Sequence, residues 1–474
     1  MPVIEQERPN DGLPQPQRRV AYIALALATA MSILDGSIAN TALPTIARDL
    51  HASPAASVWV VNGFQLAVTA SLFAFASLGT LHGPARVYRA GVILFILGSS
   101  LCALAQNLAV LIVARALQGI GAAAIMAISP ALLREVFPRA QLGQALGINA
   151  LVVAASSAAG PTLGGFILAV APWQLLFAIN VPLGLINIAL NRALPRDEPA
   201  GGKLDIPSAV LSALSFTLTI WGLDGFAHHE SVWTIVLRLV VGIASGVAFV
   251  LRQQQLPRPM IAVDLFGIPP FALAAATSFS AFLSQGLAYV ALPFYFQEAL
   301  GRTPLQSGLL LTSWPLAIVV VAPIAGRLSD RFPVAILATL GLTVLTVGYA
   351  LYALLPAHPS TLQIVLHGIL CGVGFGLFNT PNNRELIGNA PREKSASAAG
   401  FLAAMRVGGQ TVGAAAVAIV FGVLGGALTA GTPAHDVVAR ATPAALWVAC
   451  ACSLIATIAS GLRLFVPASR RRSR

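Results

Sequence analysis

VAYIALALATAMSILDGSIANTAL, residues 20–43, holds a single charged side chain, Asp35, in an otherwise apolar run. A membrane-spanning helix needs about 20 mostly apolar residues, so this run is long enough to cross a bilayer. It exceeds the apolar core of a signal peptide and contains an acid, so it reads as a retained first span and not as a cleaved leader. The polar residues before it, closing on Arg18 and Arg19, read as a tail outside the membrane.

The pattern continues along the chain. Apolar runs fall at 20–43, 57–78, 90–106, 109–132, 145–170, 174–191, 206–226, 232–251, 271–296, 305–326, 333–355, 360–381, 396–424 and 442–465, which makes fourteen. The sequence is 57% hydrophobic and 9% charged, against about 25% charged in ordinary soluble domains. A soluble particle of this composition could not cover its own surface, so the bilayer is the expected solvent. The net charge of +11 would suggest nucleic acid in a soluble protein. Here the basic residues sit between apolar runs without the aromatic interleaving of single-strand binders, so no nucleic-acid partner is expected.

The charges instead report orientation. With both termini cytoplasmic, 22 of the 28 lysines and arginines fall in inner segments. Only Arg48, Arg302 and Arg440 fall outside, while Arg115, Arg238 and Arg406 lie within helices. This asymmetry obeys the positive-inside rule, and a miscounted helix would invert every later loop. The expectation is an all-α integral membrane protein of fourteen spans in a bacterial-type inner membrane. Cys102, Cys371, Cys450 and Cys452 lie inside apolar runs without metal spacing and read as small core residues. No metal and no cofactor is expected.

An internal repeat places the spans. Ala42-Leu43-Pro44 recurs as Ala291-Leu292-Pro293, and Gly160-Pro161-Thr162-Leu163-Gly164 as Gly409-Gln410-Thr411-Val412-Gly413, both 249 residues on. Gly79-Thr80-Leu81 recurs as Gly326-Arg327-Leu328, an offset of 247. Helices 1, 2 and 5 thereby pair with 9, 10 and 13. A shift of eight helices means two parallel six-helix halves with helices 7 and 8 inserted between them. The expected boundaries are a tail at 1–19, a first bundle at 20–191, linkers and the inserted pair at 192–270, a second bundle at 271–465, and a basic tail at 466–474.

Six short motifs in order resemble the major facilitator superfamily, in its fourteen-helix drug:proton antiporter branch. They are Leu34-Asp35 through Asn40 to Pro44, Arg115 through Gln118-Gly119 to Gly121, Gly160-Pro161 through Gly164-Gly165, Asn180-Val181-Pro182-Leu183-Gly184, Gln297 through Gly301 and Pro304 to Gly308, and Gly326 through Asp330-Arg331. The resemblance implies the superfamily fold, two six-helix bundles plus the inserted pair. It also implies proton-driven efflux of small amphipathic, cationic or multidrug-type compounds by a monomer. One departure stands out: the first hairpin reads Gly79-Thr80-Leu81-His82-Gly83-Pro84-Ala85-Arg86, without the acid that the family carries there.

An acid at membrane depth is costly and therefore a functional candidate. Asp35 is the acid set well inside a predicted helix, and a proton antiporter needs one group that loads and releases a proton. The resemblance places Arg115 beside it as coupling partner; the plainer alternative for both is a packing role. Cavity candidates are the polar and aromatic residues at membrane depth: Asn40, Asn62, Gln65, Gln118, Gln285, Tyr289, Trp314, Asn379, Arg406 and Gln410. Gly160, Pro161, Gly164 and Gly165 allow close helix approach and a kink, and are expected to seal an interface. Gly326, Asp330 and Arg331 are expected to form a cytoplasmic lock. Rival readings are an exporter of an endogenous metabolite, such as an amino acid, sugar or siderophore, and a membrane enzyme or sensor. For the latter no nucleotide loop or nucleophile constellation is present.

Overall fold

The computed structural model describes residues 12–197, 201, 204–227, 230–256, 259–391, 394–426 and 434–465. The predicted basic tail at 466–474 and most of the tail at 1–19 lie outside these. Fourteen helices are long and apolar enough to span a membrane: α1 Gln17–Asp49, α2 Pro54–His82, α3 Pro84–Ala103, α4 Leu108–Val136, α5 Ala140–Val170, α6 Leu175–Ala193, α7 Ile206–Ala227, α8 Val232–Gln255, α9 Pro269–Ala299, α10 Pro304–Leu328, α11 Val334–Ala353, α12 Thr361–Gly388, α13 Ser397–Gly425 and α14 His435–Phe465. Several run beyond their apolar stretches. Helix α3 begins at Pro84, six residues before its apolar run, because proline suits the first turn, where no N–H bond is needed.

The chain is a multi-pass membrane protein with no strand among the described residues. An even number of spans places the two chain ends on one side, called here the terminal end; the other is the far end. Helices α1–α6 and α9–α14 form two bundles, and α7 and α8 pack on each other, with α7 also against α2 and α13. The inserted pair leaves most of its side chains outside the packed core, Trp233 at 83% exposure among them. Such a surface suits lipid, since a helix satisfies its own backbone.

The sequence repeat is also a packing repeat. Cβ atoms added at Gly160 or Gly164 of α5 would meet Ser37 or Ile38 of α1. At the matching places on α13, Gly409 and Gly413 approach Phe279 and Leu287 of α9. Small residues at one recurring spacing bring the fifth helix of each half onto its first.

The halves meet along α5 with α10, α2 with α13, and α1 with α9. At the far end this seam is bonded. Gln297 Nε2 donates to Thr41 O at 2.9 Å, and Thr45 Oγ1 donates to Gln297 Oε1 at 3.4 Å. Arg48 and Glu298 pair at 3.3 Å. Toward the terminal end α5 is looser: nothing lies within 4 Å of a Cβ added at Gly143 or Gly147.

Candidate transport site

Asp35 sits in α1 with 3% of its surface exposed, and Arg115 of α4 is fully buried. Arg115 Nη1 donates to Asp35 Oδ2. Asp35 Oδ1 accepts from Gln118 Nε2 and from Asn180 Nδ2 of α6, each at 2.8 Å. Both carboxyl oxygens are therefore engaged by N–H donors. A proton on either would displace one of them.

The arginine is held as firmly. Its Nε donates to Val60 O of α2 at 3.0 Å, and Nη1 also reaches Gln118 Oε1 at 2.6 Å. Its guanidinium carbon lies 4.2 Å from the Phe64 ring centre and 5.4 Å from that of Phe177, within cation–π range. Gln118 Nε2 donates onward to Ser99 Oγ of α3 at 2.8 Å. Removing one partner from such a buried pair costs about 3–5 kcal/mol, because the other charge is left stranded. Loss of the Asp35 charge would likewise leave Arg115 without its counter-charge.

Sequence reasoning placed Asp35 and Arg115 together; the structure adds Asn180, Ser99 and Val60 O. Asn180 was visible in the motif that opens α6, but nothing in its spacing assigns it to α1. Gln118 is corrected: expected in the substrate cavity, it is fully buried in the ion-pair network.

A cleft between the halves is lined by Ser37, Asn40 and Thr41 of α1, Ser157 and Pro161 of α5, Tyr289 of α9, and Leu311 and Pro315 of α10. Asn40 and Tyr289, two of the cavity candidates, both line it. Trp314 packs on Tyr289 with ring centres 5.0 Å apart. Gln410 Nε2 donates to Gln285 Oε1 at 3.0 Å, joining α13 to α9. Asn40 Oδ1, Gln65 Oε1, Trp314 Nε1 and both amide atoms of Asn62 are buried without a hydrogen-bond partner. Orphaned buried polar atoms are rare, and these are the groups a polar ligand or water would satisfy. Asn379 is different: its Oδ1 accepts from Asn383 Nδ2 at 3.2 Å within α12. Arg406 lies half-buried on α13.

The glycine-proline element on α5 faces two ways. Gly160 and Gly164 admit α1, while a Cβ at Gly165 would fall 2.6 Å from Pro304 O of α10. In return, a Cβ at Gly308 of α10 would fall 2.9 Å from the Pro161 carbonyl carbon. The hydroxyls of Thr162 and Thr312 bond at 2.6 Å across the same contact.

At the terminal end the expected lock is revised. Asp330 bonds Arg384 Nη1 at 2.5 Å, and Gly326 lies against Thr380, so the lock ties the α10–α11 hairpin to α12. Arg331, three residues past the end of α10, is exposed and takes no part in an ion pair among the described residues. Arg463, counted by sequence among inner flanking charges, is instead fully buried, with Asn382 Oδ1 at 2.7 Å and Glu385 Oε2 at 2.9 Å.

The first hairpin has its acid after all, from elsewhere in the chain. Asp197, in the linker after α6, accepts from the backbone N–H of Ala85 at 2.8 Å and of Arg86 at 3.1 Å. Arg86 Nε approaches the same carboxylate at 3.5 Å. These are orphan donors at the start of α3, where the helix dipole favours negative charge. Gly83 makes room: its φ is +99°, and a Cβ there would fall 2.5 Å from Asp197 Oδ1.

The comparisons with known proteins agree on the class. The Major Facilitator Superfamily profile matches residues 25–209 and 274–474, leaving out much of the inserted pair. The chain belongs to this superfamily and is a transporter. It is 46% identical to the uncharacterized transporter YebQ of Escherichia coli K12, over 97% of this chain and 98% of that one. It is 32% identical to the riboflavin transporter RibZ of Clostridioides difficile, over 82% and 85%. It is 30% identical to the multidrug resistance protein Stp of Mycobacterium tuberculosis, over 87% and 76%.

Proposed function

We propose that the protein exports small amphipathic compounds in exchange for protons, by alternating access of a cavity between its two halves. The carrying observation is the buried Asp35–Arg115 pair, five residues along α1 from the cleft residue Asn40. When Asp35 takes a proton, Arg115 loses its counter-charge and must find other partners, and this shifts α4 and α1 against each other. Proton return releases about 2.3 kcal/mol per 100 mV of membrane potential for each charge moved, in addition to the pH gradient. The likeness to Stp supports a drug-type cargo. The positive-inside bias supports a terminal end facing the cytoplasm of a bacterial inner membrane, and the proposed unit of transport is a monomer.

The test is transport by Asp35→Asn in proteoliposomes with an imposed pH gradient. Proton-driven uptake of an ethidium-like dye into inverted vesicles should vanish while the protein inserts and purifies normally. Dye uptake at the wild-type rate by the variant would end the coupling role. A second reading, export of an endogenous metabolite, is favoured by the likeness to RibZ. Riboflavin-driven proton flux without any dye-driven flux would select it.

A further inference from the structure

Arg115, Arg238, Arg406 and Arg463 are set in spanning helices with largely buried side chains, and three of them have a carboxylate. Arg115 has Asp35, Arg238 has Glu230 at 2.7 Å, and Arg463 has Glu385 at 2.9 Å. Arg406 is the exception: among the described residues no carboxylate lies within ion-pair distance of it, and no hydrogen bond from it is formed. An unpaired charge at this depth is expensive and is kept where it serves a ligand or a pathway.

Its position indicates which. On α13 Arg406 stands one turn from Gln410, so the two share a helix face. Gln410 bonds Gln285 of α9, and one turn beyond Gln285 is Tyr289, which lines the cleft. The next residue, Val407, packs into the core of the first half. Arg406 therefore lies half-buried on the seam between the halves. Its counterpart in the first half, Ser157, 249 residues earlier, lines the cleft. The first half contributes no compensating acid: Asp35 is already engaged by three donors.

We infer that Arg406 is the anion-binding residue of the substrate cavity, and that the preferred cargo carries a carboxylate or an equivalent acidic group. This rests on the reading of the seam as the transport cavity and revises the cation expected from family resemblance. Arg115 and Asp35 cancel, so the cavity carries the uncompensated positive charge of Arg406. A planar guanidinium takes a carboxylate through two parallel N–H bonds. The orphaned Trp314 Nε1, Asn40 Oδ1 and Gln65 Oε1 serve neutral polar groups on the same molecule, and the rings of Tyr289 and Trp314 serve its apolar part.

The experiment titrates purified protein in phosphatidylcholine nanodiscs with two fluorophores of one shape, anthracene-9-carboxylate and anthracene-9-carboxamide. The acid should bind about tenfold tighter than the amide, equivalent to about 1.4 kcal/mol. Arg406→Gln should erase that preference and leave amide affinity unchanged, while Arg406→Lys should restore part of it. Equal binding of acid and amide by the wild type overturns the inference even if no variant folds. So does a loss by Arg406→Gln that is the same for both probes. Loss of acid binding in phosphatidylglycerol discs would assign the arginine to a lipid phosphate and overturn the substrate role. Binding needs no proton gradient: acid preference without proton flux would defeat antiport alone, and proton-coupled transport without acid preference would defeat this inference alone.

Discussion

The two halves share a scaffold and differ in their charges. At the equivalent places in the second half Asp35 becomes Ser284, 249 residues on, and Arg115 becomes Gly368, since Gly119 and Gly121 of α4 pack as Gly372 and Gly374 of α12 do, 253 residues on. Ser284 Oγ merely donates to Ala281 O at 2.8 Å, and Gly368 lies against Ser313 and Tyr352 with no side chain of its own. In the other direction, Arg406 corresponds to Ser157. One half thus holds a neutralised pair locked among helices, and the other an unpaired cation on the seam. On the proposed reading, duplicated packing with divergent charge separates the proton step from the cargo step. A single acid serving both would have to release one to take the other.

The largest expected effect tests whether the first half's pair belongs to coupling or to folding. Arg115→Ala leaves Asp35 buried without its cation and should lower stability by about 3–5 kcal/mol, read as a large fall in the thermal midpoint in detergent. Asp35→Asn combined with Arg115→Gln should recover most of that midpoint and none of the proton-driven transport. Recovery of transport would make the pair structural. Ser284→Ala, at the mirrored position, should leave both unchanged.

A smaller effect contrasts the two hairpins at the terminal end. Asp330→Asn breaks an exposed pair worth about 0.2–1 kcal/mol. Asp197→Asn removes charge from a helix N-terminus, about 0.3–1 kcal/mol. Each should raise cysteine labelling from the terminal end, which reports opening there, and the two together should raise it further. Labelling that responds to Asp330→Asn alone would show that the linker acid does not replace the missing hairpin acid.

The smallest effect concerns the inserted pair, which has no counterpart in either half. Asp205, just before α7, meets Arg252 Nη2 at 2.9 Å. Partial burial pushes its carboxyl up, but hydrogen bonds from Arg252 and Ser208 outweigh this and hold it below the usual carboxylate range. A depressed folded value means the pair stabilises fully at neutral pH. The contribution is lost as pH falls through that depressed value. Hydrogen exchange at the start of α7 should rise with acid, and in Arg252→Gln it should rise at a higher pH. An identical profile in both proteins would remove the pair from this account.

Much of this was legible in the residues. A span is written in local composition, and the charge bias audits the number of spans, so the fourteen helices follow from counting. The repeat near 249 residues follows likewise, since glycines that admit a neighbour recur wherever the packing recurs. Asp35 is conspicuous because acids are rare at depth. Partnership across helices is another matter. Gln118 is indistinguishable from a cavity residue until α1 and α3 are placed around it. Asp197 stands 111 residues beyond Arg86 in a polar linker, where an acid signals nothing. Arg463 looks like a flanking charge because local sequence cannot reveal that Glu385 waits in α12. The resemblance to drug antiporters supplied the class, while the sign of the cargo depends on which arginine is left over after the others are paired.

The Asp197 contact has a further meaning for how such chains can be recombined. The acid that caps the first hairpin is encoded beyond the sixth helix, on the far side of the natural seam for exchanging halves. A chimera that crosses over just before Asp197 would inherit its first bundle whole and still lose that cap, unless the incoming partner supplied an acid at the same distance. A crossover a few residues later would keep it. The functional border of the first half therefore lies past its last helix, and Gly83 is the mark, within the half, of a residue the half does not contain.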